Sequence, residues 1–270
     1  MMRKGWSLLL LALSLVLALT ACGGSETGGT DEKQILKVGA SQVPHAEILN
    51  QVKPDLEKKG IQLEVKVLQD YVTPNKGVEE EQLDANFFQH IPWMETSNKE
   101  RGWHLKKVVG VHIEPIGLYS EKIDKISQLK KGSTIALPNG TSEVTRVLLL
   151  LEHEGLLKLK SGDGEKSVKD IADNPKKLKF KPLEAATLPR VLDQVDAAAI
   201  NTNYALQAKL NPMEDALIIE GKESPYVNVL AVKEGNEKDQ AIQELAKALT
   251  SPKVAKFIEK KYKGAVVPAF

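Results

Sequence analysis

The only cysteine of the chain stands where its thiol could be acylated. Cys22 ends the run Leu19-Thr20-Ala21-Cys22, behind a basic head and an almost unbroken apolar stretch at 8–19. This layout is typical of a signal peptide, since the stretch is shorter than the ~20 residues that span a bilayer. The small residues before Cys22 resemble a bacterial lipobox, whose cysteine becomes the lipidated N-terminus. The sequence predicts a lipoprotein signal peptide at 1–21; an ordinary cleaved signal with a chance cysteine is the alternative.

The other side chains that could do chemistry lack catalytic or metal-binding spacing. One cysteine cannot form a disulfide within the chain. A nucleophile elbow, a phosphate-binding loop and a dinucleotide fingerprint are all missing from the sequence. Scattered histidines are mostly surface residues or hydrogen-bonded structural residues, so the sequence predicts no enzyme, no metal and no cofactor. The five histidines are His45, His90, His104, His112 and His153.

Composition limits the class of protein. Lys and Arg number 37 against 36 for Asp and Glu, a net charge of +1, which does not favour nucleic acid as a partner. With 270 residues, 42% of them hydrophobic, the chain can bury a sizeable core, which we expect to be divided between two lobes. Residues 22–35 are rich in Gly, Ser and Thr and predict a flexible linker, so the ordered body begins near Leu36.

Strands and helices are predicted to alternate in both halves of the chain. This order favours parallel α/β sheets in two lobes of like topology, with a cleft at the carboxyl ends of the strands. Predicted strands are 36–40, 61–68, 83–87, 134–137, 178–182 and 195–200. Predicted helices are 44–59, 75–82, 91–101, 142–153, 188–194 and 204–209. Two extended runs, 108–119 and 226–233, are candidates for strands that cross between the lobes, and the helices 239–249 and 252–262 are expected to pack on the first lobe.

Several short segments together resemble one family, the methionine-binding or NlpA-type lipoproteins, which are substrate-binding subunits of methionine ABC importers. The resemblance runs from about Leu36 to the C-terminus. It implies a two-lobed, type II-like periplasmic-binding-protein fold of the α/β class, with the ligand cleft between the lobes. The segments are Gly39-Ala40-Ser41, Pro44-His45-Ala46-Glu47-Ile48, Asp70-Tyr71-Val72-Thr73-Pro74-Asn75, Asp84-Ala85-Asn86-Phe87-Phe88-Gln89-His90-Ile91-Pro92, Asp170-Ile171-Ala172-Asp173-Asn174-Pro175-Lys176, Asn201-Thr202-Asn203-Tyr204-Ala205 and Ser224-Pro225-Tyr226-Val227-Asn228.

The resemblance also implies a role and partners. We expect lobe 1 to comprise 36–112 and 230–270, and lobe 2 to comprise 113–229. The expected protein is a lipid-anchored monomer on the extracytoplasmic face of the cell membrane, which passes methionine to a permease and ATPase complex. D-methionine, a methionine-containing dipeptide and another apolar amino acid are alternative ligands. A surface adhesin or sensor with the same fold, and a secreted hydrolase, are alternative functions.

Three polar residues resemble the family's contacts to the backbone groups of the amino acid. A zwitterion needs a cation for its carboxylate and acceptors for its ammonium. Arg146 matches the carboxylate-binding arginine, and a guanidinium offers two parallel donors to a carboxylate. Asn201 and Asn228 match the other polar contacts, since an amide can both donate and accept. Without the resemblance, Arg146 could equally be a surface residue on an amphipathic helix.

Four rings are predicted to line the slot for the ligand side chain: Tyr71, Phe88, His90 and Trp93. A thioether is polarizable and packs well near aromatic rings, and only 5% of this chain is aromatic. Ordinary core packing is the alternative for these rings. Trp93 lies where many relatives have tyrosine.

The loop before Arg146 departs from the family pattern, which usually continues Asp-Pro-Ser/Thr-Asn after Pro138-Asn139. This chain has Gly140-Thr141-Ser142-Glu143 instead. Glu143 therefore places a carboxylate where an amide is common. It is expected either to reach the ligand ammonium or to cap the helix.

Overall fold

Two mixed β-sheets organise the chain in the computed structural model, which describes residues 33–221 and 224–270. The predicted signal peptide, Cys22 and nearly all of the predicted linker lie outside the described residues. The strands are β1 Gln34–Ala40, β2 Ile61–Val67, β3 Ala85–His90, β4 Leu105–Ile113, β5 Gly117–Tyr119, β6 Thr134–Pro138, β7 Lys158–Leu159, β8 Ile171–Asp173, β9 Lys179–Leu183, β10 Ala197–Ile200, β11 Ile218–Ile219, β12 Val227–Lys233 and β13 Val267–Pro268. The α-helices are α1 Glu47–Glu57, α2 Thr73–Glu79, α3 Ile91–Arg101, α4 Thr141–His153, α5 Thr202–Gln207, α6 Pro212–Asp215, α7 Gln240–Leu249 and α8 Pro252–Tyr262.

The first sheet has the strand order β13-β4-β12-β3-β1-β2. β1 is parallel to β2 and β3, whereas β12 is antiparallel to β3 and β4. β3 is buried along its whole length because it lies between β1 and β12. Its carboxyl end, at Phe88 and His90, therefore opens inside the molecule rather than at an exposed edge.

The second sheet has the order β11-β5-β10-β6-β9. β6 is parallel to β9 and β10, and β5 is antiparallel to β10 and β11. The predicted parallel pairing is present among β1, β2 and β3 and among β6, β9 and β10, whereas β5 and β12 depart from it. β5 and β12 run antiparallel to their neighbours, and each is the first strand that the chain forms after it passes from one sheet to the other.

The two extended runs behave differently from each other. The run 108–119 leaves the first sheet at Ile113 and enters the second at Gly117, as a crossing strand would. The run 226–233 does not cross, because β12 pairs only with β3 and β4 in the first sheet. The predicted helix at 188–194 is instead a 3₁₀ segment, Ala185–Val191, whose Pro189 lacks the N–H that an α-helix needs.

Helices cover both sheets with apolar faces. The spacing of Ile48, Leu49, Val52 and Leu56 places one face of α1 in the core under the first sheet. Leu245 of α7 joins the same core, as do Ile258 and other residues of α8, so the C-terminal helices pack on the first sheet as predicted. Leu148 and Leu151 of α4 pack against the second sheet. Among the described residues, no helix is both long and apolar enough to span a membrane.

Candidate ligand-binding site

An internal cavity lies where the carboxyl end of β3, the link from β4 to β5, the start of α4 and the loop after β10 meet. The space between its lining atoms is about 330 Å³, including its open mouth. All eight residues that the sequence analysis predicted for ligand binding line it. Four further lining residues were missed, although Gln89, Thr202 and Asn203 fall inside the family-like segments and Glu114 follows β4. The lining residues are Tyr71, Phe88, Gln89, His90, Trp93, Glu114, Glu143, Arg146, Asn201, Thr202, Asn203 and Asn228.

Aromatic rings form one wall of the cavity. The Tyr71 ring centroid is 5.8 Å from that of Phe88, 5.5 Å from Trp93 and 5.2 Å from Tyr204. The Tyr71 hydroxyl donates to Asn203 Oδ1 at 2.6 Å, which fixes the orientation of the ring. Such a wall can hold an apolar or thioether side chain through dispersion contacts.

His90 does not only line the slot; it also connects the two sheets. Its Nδ1 accepts the Trp93 backbone N–H at 3.1 Å, so His90 caps the start of α3. The proton of a neutral His90 must then lie on Nε2, which faces Glu143 Oε1 at 2.5 Å. Glu143 belongs to α4, so this contact joins the end of β3 to the helix that covers the second sheet.

Glu143 and Arg146 lie three residues apart on α4, so that both side chains project from one helix face. Glu143 is 1% exposed and Arg146 is 3% exposed. Glu143 Oε2 accepts from Asn201 Nδ2 at 2.6 Å. Burial raises the pKa of the Glu143 carboxyl, but His90, Arg146 and the hydrogen bonds outweigh it and bring the pKa to about 2. The side chain does not cap its helix, whose N-cap residue is Gly140.

Arg146 is oriented by protein groups that the sequence did not predict. Its Nε and Nη2 donate to the Glu220 carboxylate at 3.1 and 2.5 Å, and Nη2 also donates to the Glu114 carbonyl at 2.7 Å. The guanidinium lies 4.3 Å from the centroid of the Tyr226 ring. Burial lowers the pKa of Arg146 and Glu220 raises it, with a net increase. Within the described residues Nη1 has no hydrogen bond, and because Nη2 already donates twice, the N–H groups of Nη1 are those that remain for a ligand carboxylate.

Three polar atoms in the cavity wall have no hydrogen-bond partner among the described residues. They are Asn201 Oδ1, Asn203 Nδ2 and Trp93 Nε1, and each is buried. Buried polar groups are nearly always paired, so unpaired ones that line a cavity are available to a polar ligand. Asn228, by contrast, is already engaged, since its Oδ1 lies 3.1 Å from His45 Nε2.

A buried network behind Asn228 supports this wall. Glu114 Oε1 lies 2.7 Å from His112 Nε2 and 3.1 Å from His45 Nε2. Burial lowers the pKa of His45 to about 4 and that of His112 to about 3, and it raises the pKa of Glu114. The fold thus brings together two histidines and a carboxylate that the sequence spacing did not connect. His112 Nδ1 has no partner within the described residues, whereas metal-bound histidines normally donate their other N–H, so we interpret the cluster as a hydrogen-bond network.

The family model of the NlpA lipoproteins matches residues 36–270 of this chain. The chain belongs to the NlpA lipoprotein family. It is 42% identical to the methionine-binding lipoprotein MetQ of Bacillus subtilis over 265 residues, which cover 95% of this chain and 96% of that protein.

Solved structures resemble this NlpA lipoprotein closely. A nutrient-binding protein from Burkholderia cenocepacia bound to methionine superposes with a TM-score of 0.84 at 43% identity, over 87% of this chain and 100% of that chain. A periplasmic substrate-binding protein of an ABC transporter from Coxiella burnetii gives a TM-score of 0.83 at 40% identity, with the same coverage. The predicted two-lobed α/β fold is therefore confirmed.

Proposed function

We propose that this NlpA lipoprotein is an extracytoplasmic solute-binding lipoprotein that captures methionine in the cleft between its lobes and delivers it to an ABC import permease. The observation that carries the proposal is the cavity itself. A buried guanidinium, one unpaired buried acceptor, two unpaired buried donors and an aromatic wall surround one space, and they complement a zwitterion with a soft apolar side chain. The protein binds and releases its solute and is not an enzyme.

The ligand carboxylate accepts from Nη1 of Arg146, and Asn203 Nδ2 provides a further donor. The thioether side chain lies against Tyr71, Phe88 and Trp93. Relatives named for methionine and a relative solved with methionine support this ligand. L-methionine is the first choice; D-methionine, a methionine-containing dipeptide and another apolar amino acid are the competing ligands.

The lobes are those predicted from the sequence, 36–112 with 230–270 and 113–229. The membership of the two sheets supports this division, although β12 pairs within the first sheet from Val227 onward. Closure of the lobes then moves them as rigid bodies about the short links between the sheets. Lipid on Cys22 anchors the protein, as a monomer, to the extracytoplasmic face of the membrane, where the permease and ATPase complex receives the ligand.

Titration calorimetry tests the ligand. Protein unfolded, dialysed free of ligand and refolded is titrated separately with L-methionine, D-methionine, a methionyl dipeptide and leucine. Saturable binding of L-methionine with the highest affinity supports the proposal. If one of the other three compounds binds more tightly, that compound is the ligand instead of L-methionine. If none of the four binds, the proposed function is rejected.

A further inference from the structure

Glu143 supplies a full negative charge inside the cavity. Its carboxylate is 1% exposed, and it lies one helical turn from Arg146 on the same face of α4. The cavity wall thus presents an anion and a cation side by side. Arg146 already has its own counter-ion in Glu220, so Glu143 is not needed to neutralise the guanidinium.

The carboxylate is held in place from both sides. His90 Nε2 contacts one oxygen at 2.5 Å, and Asn201 Nδ2 donates to the other at 2.6 Å. His90 is itself oriented by the Trp93 backbone N–H. Because a carboxylate has about four acceptor positions, each oxygen keeps one for a ligand.

Asn201 contributes a second acceptor at the same place. Its amide nitrogen is used by Glu143, while its Oδ1 is buried and has no partner among the described residues. Two adjacent acceptors, one of them charged, require a donor-rich cation. A primary ammonium has three N–H donors and a positive charge, whereas a hydroxyl has one donor and an amide N–H has no charge.

We propose that Glu143 and Asn201 form a subsite for a primary ammonium, and that this subsite restricts the NlpA lipoprotein to ligands with a free, protonated amine. The inference rests on the proposed function, because it assigns one end of the same ligand. It excludes N-acylated methionine and the interior of peptides. It also makes Glu143, the residue that departs from the family pattern, a determinant of specificity.

A pair of nearly isosteric ligands tests the subsite. L-methionine is compared with its hydroxy analogue, 2-hydroxy-4-(methylthio)butanoate, which replaces the ammonium by a neutral hydroxyl. Removing one partner of a buried charge pair costs enough to weaken binding by about 30- to 4,000-fold. We expect calorimetry to find a ratio of dissociation constants in this range for the parent protein, and a ratio reduced at least about tenfold in Glu143→Gln.

Controls separate recognition from folding. Glu154→Gln removes an exposed carboxylate at the other end of α4 and should leave both affinities unchanged. Glu143→Asn, tested beside Glu143→Gln, guards against one variant failing to fold. Equal affinities of the parent for the two ligands overturn the inference without any variant.

A purely structural role of Glu143 would lower both affinities together, and an unchanged ratio in the variants therefore also overturns it. A parent protein that binds methionine but does not discriminate overturns only this inference. A parent that binds neither ligand overturns the proposed function as well.

Discussion

The contact between Trp93 and Gly140 allows a quantitative prediction. Gly140 has φ −71° and ψ 141°, which any residue can adopt, so alanine adds no backbone strain. A Cβ at Gly140 would lie 2.3 Å from Cζ3 of Trp93 and 3.1 Å from Cη2. Non-bonded carbon atoms need about 3.5 Å, so the indole must move by about 1 Å. Overpacking of this kind costs about 1–3 kcal/mol.

Under the proposed closure of the lobes, this cost falls on the ligand-bound form. Trp93 lies on α3, beside the first sheet, and Gly140 precedes α4, which covers the second, so the proposal assigns their contact to the closed form. We therefore expect Gly140→Ala to weaken methionine binding by about 5- to 150-fold. The thermal unfolding midpoint of the ligand-free protein should not change.

Calorimetry on four proteins checks the reasoning: the parent, Gly140→Ala, Trp93→Phe and the double variant. A phenyl ring does not extend to the clashing atoms, so Gly140→Ala should have an effect of less than about threefold in the Trp93→Phe background. Gly221→Ala is the matched control, because its added Cβ meets nothing within 4 Å. The proposed contact between Trp93 and Gly140 would be refuted if Gly140→Ala bound methionine as tightly as the parent. It would also be refuted if Gly140→Ala lost the same affinity in the parent and in the Trp93→Phe background.

Three further predictions concern the charged groups and the anchor. Arg146→Ala should weaken methionine binding by about 30- to 4,000-fold in calorimetry, because the buried ligand carboxylate loses its cationic partner, and Arg146→Lys should recover only part of the loss. Full affinity of Arg146→Ala with the fold intact would contradict the site. Burial lowers the pKa of His45 to about 4 and that of His112 to about 3 from 6.5, so the unfolded chain binds protons that the folded chain does not. The free energy of unfolding should fall as the pH drops from about 6.5 to 4, by at most about 1.4 kcal/mol per pH unit for each histidine, and urea titrations should find a flatter slope in His112→Gln. Cys22→Ala should leave the membrane fraction on cell fractionation; retention with normal cleavage would exclude the lipid anchor.

Local patterns in the sequence predicted many of the strands and helices. The alternation of apolar residues at 61–68 predicted the strand β2. The prediction of a helix at 91–101 matches the bounds of α3, which is followed by Gly102 at φ 68°. Such elements can be predicted from the sequence because the periodicity of a strand or helix, and the positive φ of a glycine after a helix, depend on residues that are neighbours in the chain. Five of the eight residues predicted for the cavity lie in the family-like segments, and all eight line the cavity.

Contacts between distant residues could not be predicted this way. Glu220 holds Arg146 from 74 positions away, and His45 reaches Asn228 across 183. The contact of Trp93 with Gly140 and the bonds from Glu143 to His90 and Asn201 are of the same kind. A side-chain pair across two sheets leaves no period in the sequence, because its geometry depends on how both sheets are packed. The sequence alone therefore determined most of the elements, the family and eight of the twelve lining residues. Only the tertiary structure decided which residues pair with one another and which polar atoms remain for the ligand.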